Sequence, residues 1–204
     1  MNMAKQNKRP PPERLIAAAI EQIEAHGLGQ LTVRGVAAAA GANVAAVNYY
    51  FRSKEALVAA ALEASIDHMV EDCEAYLDAM AEQPHQALVD LLGYLLEGAL
   101  RFPRISKAHL HDAFLLDDYS GVFPRMMTPV MQRLRGALQA AVPGLSSEQA
   151  AQRVIAALSA VFFPAFFAGF YTPLEALSAP ARANYVRELA RQACAPPPHV
   201  DAQE

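Results

Sequence analysis

Apolar side chains recur at intervals of three and four along almost the whole of this sequence, which is the period of one face of an α-helix. Leu15, Ala19, Ile20 and Ile23 make the first such stripe, and Gly27 and Gly29 end it. The opposite signal is nearly absent: there is no sustained Val/Ile/Thr alternation and no Asn-Gly or Asp-Gly pair to close a hairpin. The chain reads as all-α. With 53% hydrophobic and 19% charged residues it holds apolar surface enough to offset the entropy of ordering, and 204 residues make one or two domains.

Proline and capping residues divide the helical pattern. The polar, basic segment Met1 to Pro12 reads as a mobile arm, and the first helix is expected to start at Pro12 or Glu13. Later helices are expected near 54–81, 85–101, 104–117, 122–141, 147–170 and 180–194, with Pro84, Pro103, Pro143, Pro173 and Pro180 at the joints. Ser146 and Gln149 have capping-box spacing ahead of the most apolar helix. Residues 195–204, with Pro196 to Pro198, read as a loose tail. Val154 to Phe170 carries no charge, but Pro164 and Gly169 interrupt it and no basic cluster flanks it, so a buried helix is expected rather than a membrane span. Cys73 and Cys194 have no Cys-x-x-Cys companion, and the start of the chain lacks an apolar leader; a cytoplasmic protein without a disulfide scaffold is expected.

Charge is distributed unevenly. Residues 1–54 hold seven Lys/Arg against three acids, a balance of +4, and the remaining 150 hold ten against eighteen, a balance of −8. A surface for nucleic acid, if the chain has one, is therefore N-terminal. The same region is cut into helices much shorter than average. Thr32 is expected to cap a helix reaching about Ala40, Gly41 to supply a left-handed exit, and Asn43 to cap a second short helix running to about Phe51. Ser53 then caps a long helix opened by Lys54 and Glu55. This is the plan of a helix-turn-helix. Val36, Ala40, Val47 and Phe51 are placed to bury against the first helix, which leaves Val44, Ala45, Asn48 and Tyr49 on a short outward face of a size to enter a major groove.

Gly27, Leu31-Thr32, Val36-Ala37, Ala40-Gly41-Ala42-Asn43, Tyr50-Phe51 and Ser53-Lys54-Glu55-Ala56-Leu57 occur in the order and spacing of one family. Over about residues 13–62 the chain resembles the tetracycline-repressor-like (TetR) transcriptional regulators. The resemblance implies an N-terminal three-helix DNA-binding domain (residues 13–54 behind the arm 1–12) and a C-terminal helical ligand-binding and dimerisation domain (residues 55–194). It also implies a homodimer that represses genes until a small molecule binds, with no catalysis and no cofactor. Carried over by position, Thr32 caps and touches a phosphate, and Arg34 reaches a guanine edge or a phosphate. Asn43 belongs to the same surface, while Val44, Ala45, Ala46 and Asn48 face the bases, and Tyr49, Tyr50 and Lys54 meet the DNA backbone. Two positions depart from the pattern. Asn48 stands where many members have an aromatic, and Gly35 lies inside the first motif helix, where it costs roughly 1 kcal/mol relative to alanine. The arm residues Lys5, Lys8 and Arg9 suit either a minor groove or a solubilising tail.

In the C-terminal part, Met126, Met127 and Met131 share one expected helix and Phe163 and Phe167 another; they suit an apolar effector pocket, and equally a core or a subunit contact. The segment 147–170 is too apolar to leave in water, and 180–194 alternates Tyr185, Val186, Leu189 and Ala190 with arginines; together they are expected to form a four-helix interface between two chains. That symmetry places two reading helices about 34 Å apart on a near-palindromic operator of double-stranded DNA. His109 and His111 diverge on a helix, and His68 and Asp72 share a face without a third ligand, so no metal site is expected. Two rival readings stay open at this point: an enzyme, for which no G-x-S-x-G motif or phosphate-cradling glycine loop is present, and a helical interaction module that binds no DNA.

Overall fold

A computed structural model of the chain describes residues 11–175 and 177–197; Lys5, Lys8 and Arg9 of the expected arm, and residues 198–204 of the expected tail, lie outside the described residues. Among the described residues there are helices and no strand. In chain order the helices are α1 (Pro12–His26), α2 (Val33–Ala39), α3 (Val44–Tyr50), α4 (Lys54–Ala79), α5 (Pro84–Arg101) and α6 (Pro103–Ala108). They continue with α7 (His111–Leu116), α8 (Val122–Ala141), α9 (Ser147–Phe166), α10 (Ala168–Tyr171) and α11 (Ala179–Ala193).

The chain divides into two compact units, one of residues up to Asp67 with Arg104–Phe123, the other of His68–Pro103 with the residues from Pro124 onward. The division differs from the expected cut at residue 54, because the first core extends beyond the helix-turn-helix. Leu57 and Ala61 of α4, and Ile105 and Ala108 of α6, are buried together with Leu15, Ala19 and Ile23 of α1. The link from α1 to α6 is polar as well: the Glu24 carboxylate accepts the backbone N–H of Arg104 at 3.2 Å and of Ile105 at 2.9 Å. These are first-turn donors of α6 that its own helix cannot satisfy. The Arg104 guanidinium in turn donates to the carbonyls of Glu24 and Ala25 at the end of α1.

The expected helix 104–117 is two helices. His109 leaves the helical path with its Nε2 3.0 Å from the Ser65 hydroxyl, and α7 starts only at His111. The Ser65 hydroxyl donates to the Leu62 carbonyl, so it accepts from His109 Nε2–H, and the other ring nitrogen is enclosed without a partner. Burial pushes the His109 imidazole down to about 4, so the ring is neutral at physiological pH.

In the second unit α5 packs against both α9 and α11, burying Leu88, Leu91, Leu92, Leu95 and Leu96. The Ser146–Gln149 capping box starts α9 as its spacing requires. α9 stops at Phe166 rather than at 170, and Pro164 lies inside it. Having no N–H, Pro164 cannot donate to the Ala160 carbonyl one turn earlier; that carbonyl accepts the Tyr185 hydroxyl of α11 at 2.5 Å. Arg153 donates from Nη1 to the Ala193 and Ala195 carbonyls, which ties down the first residue of the expected loose tail. By length and composition α9 would suffice to cross a membrane; Ala150, Val154, Ala157, Val161 and Ala165 on it are buried within the unit.

Candidate nucleic-acid interface

Each of the three short connections in the first unit is closed by a side chain the sequence placed there. Thr32 Oγ1 accepts the Gly35 N–H at 3.0 Å, Asn43 Oδ1 accepts the Ala46 N–H at 2.8 Å, and Ser53 Oγ accepts the Ala56 N–H at 3.1 Å. Between α2 and α3 the chain turns through Gly41 at φ +61°. The Gly41 N–H bonds to the Ala38 carbonyl and the Ala42 N–H to the Ala37 carbonyl, a Schellman turn that glycine accommodates without the cost a Cβ brings.

The core beneath is apolar and tight: Val36, Ala40, Val47 and Phe51 are all buried. Period 3.6 then fixes which residues of α3 look outward. Val44, Ala45, Asn48 and Tyr49 are exposed, as expected from the sequence, with Tyr49 at 64%. Ala46 is not. Grouped with the bases by family position, it is only 2% exposed, because it shares the inward face with Val47. Tyr50 is half-buried against the core, with its ring edge-on to Tyr49. Thr32, Arg34 and Asn43 are exposed and Lys54 half-buried, so the outward surface consists of Thr32, Arg34, Asn43, Val44, Ala45, Asn48, Tyr49, part of Tyr50, and Lys54.

Its electrostatics are one-sided. Among the described residues, Arg14, Arg34, Arg52 and Lys54 have no carboxylate within ion-pair distance. The nearest acid in sequence, Glu55, is held below the usual carboxylate range by its own backbone N–H, then by the Ser53 side chain and by the charge of Lys54 beside it. Gly35, unexplained by the sequence, now has a setting: a Cβ there would lie 2.8 Å from the Gln22 side-chain oxygen and 3.0 Å from the Thr32 hydroxyl that forms the cap. Arg14 was missed by sequence reasoning because its signal is a contact with a turn 27 positions away.

The five residues considered for an effector pocket are not brought together. Met127 is core at 1% exposure, Met126 is half-buried, and Met131 is exposed. Phe163 and Phe167 are exposed, with ring centroids 4.8 Å apart. An open groove of about 630 Å³ in the second unit is lined instead by Tyr76, Asp90, Tyr94, Glu97, Arg182 and Arg187 with small apolar neighbours, and Arg182 pairs there with Glu97 at 2.7 Å. His68 pairs in solvent with Glu71 at 3.6 Å rather than with Asp72. Among the described residues no three His, Cys, Asp or Glu are placed to hold a metal ion.

Residues 15–61 match the family model described as bacterial regulatory proteins, tetR family. They form a TetR-family DNA-binding domain. The match begins at Leu15, the first core residue of α1, and ends at Ala61, the last α4 residue of the same core. Solved structures carry the fold over the rest of the chain. A transcriptional regulator from Rhodococcus sp. Rha1 is similar at 23% identity and a TM-score of 0.68, over 91% of this chain and 99% of that one. A TetR transcription regulator from Haloarcula marismortui is similar at 21% identity and a TM-score of 0.66, over 90% and 95%. FadR from Bacillus subtilis, solved in complex with stearoyl-CoA, is similar at 14% identity and a TM-score of 0.61, over 91% and 98%. No curated protein matches the sequence. With its TetR-family domain, the chain is a DNA-binding regulator of transcription.

Proposed function

We propose that the chain is a cytoplasmic, homodimeric repressor released from a near-palindromic operator by a small amphipathic effector, and that it acts without catalysis. The observation that carries the reading is the outward face of α3, a seven-residue helix whose inner side is buried and whose flanking cations have no carboxylate within ion-pair distance among the described residues. Asn48 reads a base edge, adenine being the base that an amide meets with two hydrogen bonds, and Val44 and Ala45 meet thymine methyls. Arg34 reaches a guanine edge or a phosphate, while Thr32, Asn43, Tyr49, Tyr50 and Lys54 hold the backbone.

The second copy of the chain is proposed to sit on α9 and α11. Ile155, Phe163 and Phe167 are 65%, 53% and 43% exposed on or at the end of α9, and Phe170 is 78% exposed on α10. A row of that kind left in water favours association. Their exposure supports placing Phe163 and Phe167 in the proposed subunit contact rather than in an effector pocket. The effector class is supported by fold likeness to the stearoyl-CoA complex of the Bacillus FadR. An effector that favours the non-binding arrangement by about 3 kcal/mol weakens operator affinity roughly a hundredfold.

Selection of bound sequences from a random DNA pool tests the whole reading, run with and without stearoyl-CoA as the probe. The expected result is an inverted repeat with half-sites about one helical turn apart, lost when the probe is present. A pool with no enrichment would overturn DNA reading, and a repeat that survives the probe would overturn the effector class.

A further inference from the structure

Arg14 lies on the first turn of α1, and its guanidinium nitrogen Nη2 is 3.2 Å from the point where a side chain on Gly41 would begin. Gly41 is the left-handed residue of the turn between α2 and α3, so the turn presents bare backbone at that point and the guanidinium lies against it. Arg14 is exposed, and among the described residues no carboxylate pairs with it. A long cation held beside a turn with its charge uncompensated is arranged for an anion from outside the chain.

The turn leads through Asn43 straight into the N-terminal end of α3. From the other end of α3, Phe51, Arg52 and Ser53 lead to Lys54 at the start of α4. A helix of seven residues is about 10 Å long, close to the major-groove width of about 12 Å. Cations with no carboxylate within ion-pair distance among the described residues therefore stand at both ends of an element that matches the groove it is read to enter.

We infer that Arg14 is a DNA phosphate contact, gripping the backbone beside the N-terminal end of α3 while Lys54 grips it beside the C-terminal end. The reading helix is then held at both walls of the groove, and Gly41 is required at the turn both for its φ and for the seat it gives the guanidinium. The planar fork of arginine suits two oxygens of one phosphate, and such a contact positions the protein without selecting a sequence. The inference rests on the reading that α3 enters DNA.

The test measures binding of the full chain to a mixed-sequence duplex of about 30 base pairs, long enough for two half-sites a helical turn apart, between about 50 and 200 mM salt. Arg14→Ala is expected to flatten the dependence of log affinity on log salt by about one per bound chain and to weaken binding roughly tenfold at low salt. Arg14→Lys, which keeps the charge, retains the slope. Arg14→Gln, which keeps most of the stem over Gly41, gives the alanine result with a wild-type melting temperature, separating loss of a contact from loss of fold. Wild-type slope and affinity in Arg14→Ala would overturn the inference. Lys54→Ala run in parallel tells its failure from that of the underlying reading: if Lys54→Ala is also silent, DNA binding by this face falls; if Lys54→Ala weakens binding and Arg14→Ala does not, only the role of Arg14 falls.

Discussion

The cations of the two units differ in what surrounds them. Around α2 and α3, Arg14, Arg34, Arg52 and Lys54 have no carboxylate within ion-pair distance among the described residues. In the second unit four arginines are engaged: Arg133 with Glu74 and Asp78, Arg182 with Glu97, Arg191 with Glu188, and Arg153 with the carbonyls that end α11. The same side chain thus has two uses. Where its charge is answered inside the chain it braces the helices, between two of them for Arg133 and Arg182 and within α11 for Arg191, and where it is left open it attracts phosphate, since releasing the counterions of DNA drives binding only for charges not already neutralised. Net charge alone hides this, because the total of −4 is that of an ordinary acidic protein.

The sharpest way to break the contrast is to remove open cations and engaged ones in separate variants. Arg34→Ala with Lys54→Ala is expected to cost a hundredfold or more in DNA affinity, about 3 kcal/mol, and to flatten the salt slope by about two per chain. Arg182→Ala with Arg191→Ala is expected to leave both unchanged. Titration by fluorescence anisotropy at several salt concentrations checks the pair, and equal losses in the two variants would erase the distinction.

A smaller effect concerns the first unit alone. Half-buried His109 titrates at about 4 in the folded chain against 6.5 for the free side chain, so the folded state resists its protonation and loses stability as pH falls from about 6.5 toward 4. By pH 5 the loss relative to pH 8 is about 2 kcal/mol. Urea unfolding of the wild type and of His109→Gln at both pH values isolates the contribution, since other groups titrate alike in the two; an identical pH dependence would show that the ring is not enclosed as described. The smallest change expected is in Gly35→Ala, where a gain in helix propensity of roughly 1 kcal/mol opposes crowding of the Gln22 amide and the Thr32 cap. Because Gln22 ends in a flexible amide, the net shift in stability is expected to stay within about 1 kcal/mol; a larger loss by thermal melt would mean that Gln22 is held in place.

What was legible in the sequence was local. Thr32, Asn43, Ser53 and Ser146 cap where their spacing to the following residues requires, because a cap is a bond across three positions. The inward facing of Val47 and the outward facing of Asn48 follow from helical period alone, and family position misassigned Ala46 by overriding that period. The rest needed contacts across long separations. Glu24 reaches Arg104 eighty positions later, which is why residues 104–123 join the first unit, and Ser65 reaches His109 across forty-four, where the expected helix breaks. The effector residues were the least legible, because methionine and phenylalanine at helical spacing fit a core, a subunit contact and a pocket equally well, and the structure distributes them among different environments.

The proline inside α9 has a mechanical consequence. By exchanging a bond along one helix for a bond between two, it locks the Ala160 carbonyl to the Tyr185 hydroxyl. Sliding α11 along α9 by one turn would break that bond, whereas rolling α11 about its own axis by a few degrees would keep the groups joined. The bond thereby favours rotation of this pair over sliding, by about 1 kcal/mol.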